Sequence, residues 1–154
     1  MVVREAGILY RGFTLISTSY HQTGEDLDQD LRSGLMTAII NFVENAFVNT
    51  KVDYLEGTKF VIAFKQDLIK SKDMNEREPF FAYVIIDNQK KIEKHIKKVI
   101  NPLLEKVVDK FLSIYDGNYL SEISQFKRFK RQLDSIFGTD TTQTVDEKLK
   151  DVFY

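Results

Sequence analysis

The chain predicts an α+β fold: a five-stranded antiparallel sheet with one helix on one face and two on the other, in the order β-β-α-β-β-β-α-α. Three observations carry this. Short runs rich in β-branched and aromatic residues punctuate the first 87 positions, and long stretches with a 3.6-residue apolar period fill 26–48 and the region after 89. Glycine and proline number only 7 and 2 in 154 residues, which implies long regular elements joined by short connections.

The first apolar stretch, GILYRGFTLISTSYH from Gly7 to His21, reads as a β-hairpin over 6–11 and 13–21, with Arg11-Gly12 as its tight turn. Thr23-Gly24-Glu25-Asp26 then opens a helix to about Val48, where Asp26 and Gln29 have capping-box spacing and acids crowd the first turn. Leu27, Leu31, Leu35, Ala38, Ile39, Phe42 and Ala46 form its main apolar face. Met36, Ile40, Val43 and Phe47 widen that face to an arc of roughly 200°. Three strands follow: a short one at 52–56, one at 59–65 containing FVIAF, and one at 79–87 containing FFAYVII. The last two are continuously apolar, so both faces of the sheet are expected to be covered. The polar connection between them, from Gln66 to Pro79, is long enough to predict a mobile loop or a short helical turn.

From Gln89 to Tyr115 the apolar residues keep a helical period, and Pro102 predicts a kink or break near Asn101. A further helix from about Ser121 to Phe137 carries Ile123, Phe126, Phe129, Leu133, Ile136 and Phe137 as its buried stripe. One domain over 1–138 is expected, followed by a tail at 139–154 with a short helix.

The search for chemistry is mostly negative. The absence of cysteine excludes a disulfide scaffold, a thiolate nucleophile and a Cys-based zinc site. His21 and His95 lack metal-ligand spacing, and His95 falls among lysines on the expected wet side of its helix. Ser17, His21 and Asp26 have no positional signature of a catalytic triad. Gly7 and Gly12 have P-loop spacing, but Phe13-Thr14 stands where the phosphate-binding lysine belongs. Asp26, Asp28 and Asp30 begin like a calcium loop, yet Leu31 replaces its turn glycine and Thr37 its bidentate glutamate. No catalytic, cofactor-binding or metal-ligating residue is therefore assigned. The N-terminus lacks a signal-peptide core, and the longest apolar run, Phe80 to Ile86, cannot span a bilayer. A soluble, cytoplasmic protein is the expectation.

Two features remain. One is the surplus apolar arc, which makes Met36, Ile40, Val43 and Phe47 the candidate partner interface. The other is hidden by a formal net charge of −1. Between Gln89 and Gln132 eleven basic residues face five acidic ones, a local +6, which leaves −7 on the rest. Lys94, Lys98, Lys127, Arg128 and Arg131 from this segment are the candidate contact for an anionic surface, such as a lipid head group or an acidic protein. Nucleic acid is disfavoured, because Phe126 and Phe129 fit a buried stripe better than a stacking platform.

The element order, with GILYRGFTLISTSYH as hairpin, the helix at 26–48, three strands and two terminal helices, resembles the longin domain over about Ala6 to Gly138. The related roadblock domain begins with a helix rather than a strand. The resemblance implies a non-enzymatic platform that dimerises or binds a Ras-like small GTPase, or a longin/roadblock-type protein, in trafficking or GTPase regulation. Longin SNAREs continue into a coiled coil and membrane anchor, which this sequence does not show. A stand-alone longin, as in an archaeal or bacterial relative, would fit. Two alternatives stand beside it: a small-ligand sensor of PAS or GAF type, and a peripheral binder of anionic lipid. The sensor needs a chamber, whereas Phe60, Phe64, Phe80 and Phe81 predict a filled interior.

Overall fold

Five strands form a single antiparallel sheet in the order β2-β1-β5-β4-β3. The structure, a computed structural model, describes residues 2–20 and 53–138. The strands are β1 (Val3–Tyr10), β2 (Phe13–Ser19), β3 (Asp53–Glu56), β4 (Phe60–Ile69) and β5 (Glu78–Asp87). The sequence thus yields the expected antiparallel sheet and α+β class. The helix at 26–48, with Met36, Ile40, Val43 and Phe47, lies outside the described residues, as does the tail at 139–154.

The β1–β2 turn is the one read from Arg11-Gly12. Both residues have positive φ, 53° and 78°, which matches the right-handed twist of a two-residue hairpin. β1 begins earlier than the apolar pattern indicated because its two charges are matched. Arg4 pairs with Asp87 at 2.6 Å, and the buried Glu5 carboxylate accepts a hydrogen bond from the Tyr83 hydroxyl. β4 and β5 also run further than expected. Their pairing continues through Gln66–Phe81 and Asp67–Phe80 to Ile69–Glu78, so the connection shrinks to 70–77. Pro79 is tolerated because β1 pairing already ends at Tyr10–Phe80, which leaves β5 with one neighbour there.

Both faces of the sheet are buried. On one, Ala6, Ile8, Val61, Ala63, Phe80, Ala82, Val84 and Ile86 pack under the helical layer. On the other, Leu9, Phe60, Ile62, Phe64, Phe81, Tyr83 and Ile85 form a second cluster. That division explains why β4 and β5 are continuously apolar in sequence.

Two helical stretches make up the layer. The first comprises α1 (Ile92–His95), a π-helical segment at Ile96–Ile100 and α2 (Asn101–Tyr115). Pro102 lies inside a helical stretch continuous from Ile92, just after the π segment. The expected interruption takes the form of the wide π segment immediately before it. The second stretch is not one regular helix: a 3-10 segment (Ile123–Phe129) leads into α3 (Lys130–Leu133) and a π segment (Asp134–Gly138). It returns antiparallel to α2. Phe126 and Phe129 sit 5.8 and 5.2 Å from Phe111, and Tyr115 donates a hydrogen bond to the Gln125 carbonyl. Tyr20 at the far end of β2 bonds Asp134 at 3.0 Å. Phe111, fully buried and also 5.1 Å from Phe80, is the hub joining sheet and layer.

Candidate interaction surface

Three chain connections meet at one end of the sheet: the β1–β2 turn, the β4–β5 connection at 70–77, and the α2-to-Ile123 turn. Antiparallel pairing brings the first two together, because Tyr10 opposes Phe80 and Ile69 opposes Glu78. Hydrogen bonds attach the third. The Lys72 N–H donates to the Asn118 carbonyl at 2.9 Å, and the Gly117 N–H to the Lys70 carbonyl at 2.8 Å. The Lys70 N–H donates to Asp116 Oδ1 at 2.9 Å, and the Leu120 N–H to Ser71 Oγ at 3.1 Å. Gly117 adopts φ +87°, a conformation that closes the helix and favours glycine. Ser71 in turn donates to Asp73, and the Gln125 amide to the Tyr119 carbonyl.

Charge pairs brace the same end. Arg11 grips Glu78 with two donors, Nε at 2.7 Å from Oε2 and Nη2 on Oε1, which offsets the left-handed backbone at Arg11. The pairing holds the Glu78 carboxyl below the usual carboxylate range. Arg77 reaches Asp116 at 3.4 Å and donates to the Leu68 carbonyl at 2.8 Å. The connection, for which a mobile loop or a short helical turn is expected, is tied to the neighbouring turns at Lys70, Ser71, Lys72 and Arg77.

This braced end carries most of the large apolar side chains that the described residues leave in water. They are Phe13 (69% exposed), Met74 (39%), Ile114 (42%), Tyr119 (50%) and Ile123 (61%); Leu55, on the outer strand β3, is the other. Lys72 Nζ lies 5.2 Å from the Tyr119 ring centre. Ile123 departs from the buried stripe assigned to it. It starts the 3-10 segment at the open end of the layer, before packing on Phe111 and Tyr115 begins at Phe126. Phe13 is exposed at the hairpin tip, although Tyr10, which it opposes, is buried.

The sequence-derived basic residues are placed differently. Lys94, Lys98, Lys127, Arg128 and Arg131 are all exposed, and none makes an ion pair among the described residues, whereas Lys97 pairs with Glu93 and Lys130 with Asp134. They do not converge. Lys94 and Lys98 precede α2, while Lys127 and Arg128 flank the aromatic contacts at its C-terminal turns, so about 20 Å of helix separates the groups at ~1.5 Å per residue. His95 is half-buried rather than on the wet side. Its Nε2 is shielded without a hydrogen-bond partner among the described residues, and burial lowers its pKa. His95 stands one helical turn after the buried Ile92 and next to the buried Ile96, which sets it on the flank of the buried stripe rather than in water.

An open groove of about 540 Å³ runs along the outside of the helical layer between α2 and the second stretch, with Lys106, Lys110, Gln132 and Ser135 on its walls. Between sheet and layer, Phe80, Phe111, Phe126 and Phe129 fill the space. Among the described residues no group of three or more His, Asp or Glu could hold a metal ion, and no helix is long and apolar enough to cross a membrane. No family model matches the chain, and no curated protein matches it significantly.

Proposed function

We propose that this chain is a non-enzymatic protein-interaction module of the longin type, which dimerises or binds a Ras-like small GTPase or a longin/roadblock-type protein in cytoplasmic trafficking or GTPase regulation. The observation that carries the reading is the concentration of exposed apolar side chains on and beside hydrogen-bonded connections at one end of the sheet. Soluble domains seldom leave such groups in water together without a use, and braced turns lose little conformational entropy on docking. The α+β sheet and its antiparallel order are consistent with the longin resemblance. A ligand sensor is less well supported, because Phe60, Phe64, Phe80 and Phe81 are buried in packed clusters where a chamber would be needed.

The test is binding. The chain is titrated against itself, by sedimentation, and against small GTPases in both nucleotide states, by fluorescence of a labelled nucleotide. Self-association or state-dependent GTPase binding, weakened by Ile123→Asp or by Phe47→Asp, supports the module. A chain that stays monomeric and neither binds nor changes nucleotide release from any GTPase refutes it.

A further inference from the structure

We infer that the braced end is a self-docking face, on which a second copy of this chain sits about a two-fold axis. The inference rests on the interaction-module reading and names its partner and surface. Phe13, Met74, Ile114, Tyr119 and Ile123 together leave about 500 Å² of side chain in water, taking roughly 200 Å² for each large side chain. A stable interface needs about 800 Å² per partner, with 55–65% of it apolar. The five side chains supply that apolar share, and the polar residues of the turns supply the rest.

Charge selects the occupant. The three connections, from Arg11, from Lys70 to Glu78 and from Asp116 to Glu122, carry four basic and five acidic residues. Both signs are interleaved within a few residues: Lys70 and Lys72 stand beside Asp73 and Glu76 on one turn. A strongly basic or acidic partner would find no matching field here. A second copy finds one, because a two-fold axis can set the lysines of one turn against the carboxylates of the other. The mixed turn also argues against a membrane. Insertion of Met74 would carry Asp73 and Glu76 toward lipid, and desolvating carboxylates is costly.

The backbone of the end is ready for such burial. The amides of Lys70, Lys72, Gly117 and Leu120 already have acceptors, so docking strands none of them. Glu78 and Asp116 enter the interface paired with Arg11 and Arg77.

Sedimentation velocity on the whole chain, from about 1 to 100 µM, tests the inference. A species of twice the 18.0 kDa mass is expected, with Ile123→Asp and Phe13→Asp each weakening association tenfold or more. Both positions are exposed, so both variants should keep the wild-type melting temperature, which confirms that folding is not the cause. Phe47→Asp should leave association unchanged. A dimer insensitive to both end substitutions but broken by Phe47→Asp overturns the inference while leaving the module reading intact. A chain monomeric at every concentration overturns it too, whether it then binds a GTPase, floats with anionic vesicles or does neither.

Discussion

Replacing Gly7 by alanine tests the most exacting piece of packing in the sheet. Gly7 lies opposite Tyr83 on β5, and the tyrosine ring crosses β1 to reach the Glu5 carboxylate. A Cβ at position 7 would stand 2.5 Å from the Ile16 carbonyl oxygen and 2.8 and 2.9 Å from Tyr83 Cε1 and hydroxyl. The carbonyl belongs to a paired strand and cannot withdraw, so the ring and the strand spacing must both give. Overpacking of this kind costs about 1–3 kcal/mol. Displacing the hydroxyl from a buried carboxylate adds about 1.5–3 kcal/mol. Alanine returns about 0.4–1 kcal/mol by restricting the unfolded chain. The net loss is about 2–5 kcal/mol, a fall in melting temperature of roughly 5–15 °C for a domain of this size. Urea unfolding followed by circular dichroism measures it, with Tyr83→Phe as companion. The double variant should lose less than the sum of the singles, because removing the hydroxyl removes one of the clashes. A Gly7→Ala chain within about 0.5 kcal/mol of wild type would refute the reasoning.

Other outcomes follow from the same contacts. Phe111→Ala should cost about 3–5 kcal/mol in urea unfolding, since it empties the hub between Phe80, Phe126 and Phe129; a loss below 1 kcal/mol would show the hub able to collapse. Burial of His95 favours its neutral form in the fold, so the unfolded chain binds the extra proton and stability declines as pH drops below about 6.5. His95→Gln should flatten that slope in melts across pH 5–8, a range set by the imidazole value of about 6.5. Glu78 acts lower: its depressed pKa gives stability that is present above the unfolded carboxylate value of about 4.3 and lost as pH falls through the folded one. Glu78→Gln should remove that acid-range component, and its contribution should stay under about 1 kcal/mol because the pair is partly exposed.

Much of the sheet was legible from residue order because its signals are local. Arg11-Gly12 sits between two β-rich runs, and FVIAF and FFAYVII have the unbroken apolar character of strands buried on both faces. Strand ends were harder. Gln66, Asp67 and Leu68 look like loop, yet they hold register because β5 supplies partners out to Glu78. The helical layer was legible in period but not in pitch: the 3-10 segment packs Phe126 and Phe129 on Phe111, a tertiary contact that no propensity records. The braced end was hidden for the same reason. Met74 in a charged turn and Ile114 off the α2 stripe were its only sequence signals. Ile123 matched a core pattern and is exposed because it starts the 3-10 segment, before the aromatic packing begins at Phe126.

The absence of cysteine permits the most direct measurement of the docking face. A spin label placed at Ser121→Cys, on the exposed turn of the braced end, reports a single distance between copies by pulsed electron–electron resonance. The account predicts a short, narrow distance from position 121 at dimer-forming concentration, and a much longer one from Lys94→Cys at the start of the helical layer. A long or absent coupling at 121, or a short one at 94, would contradict it.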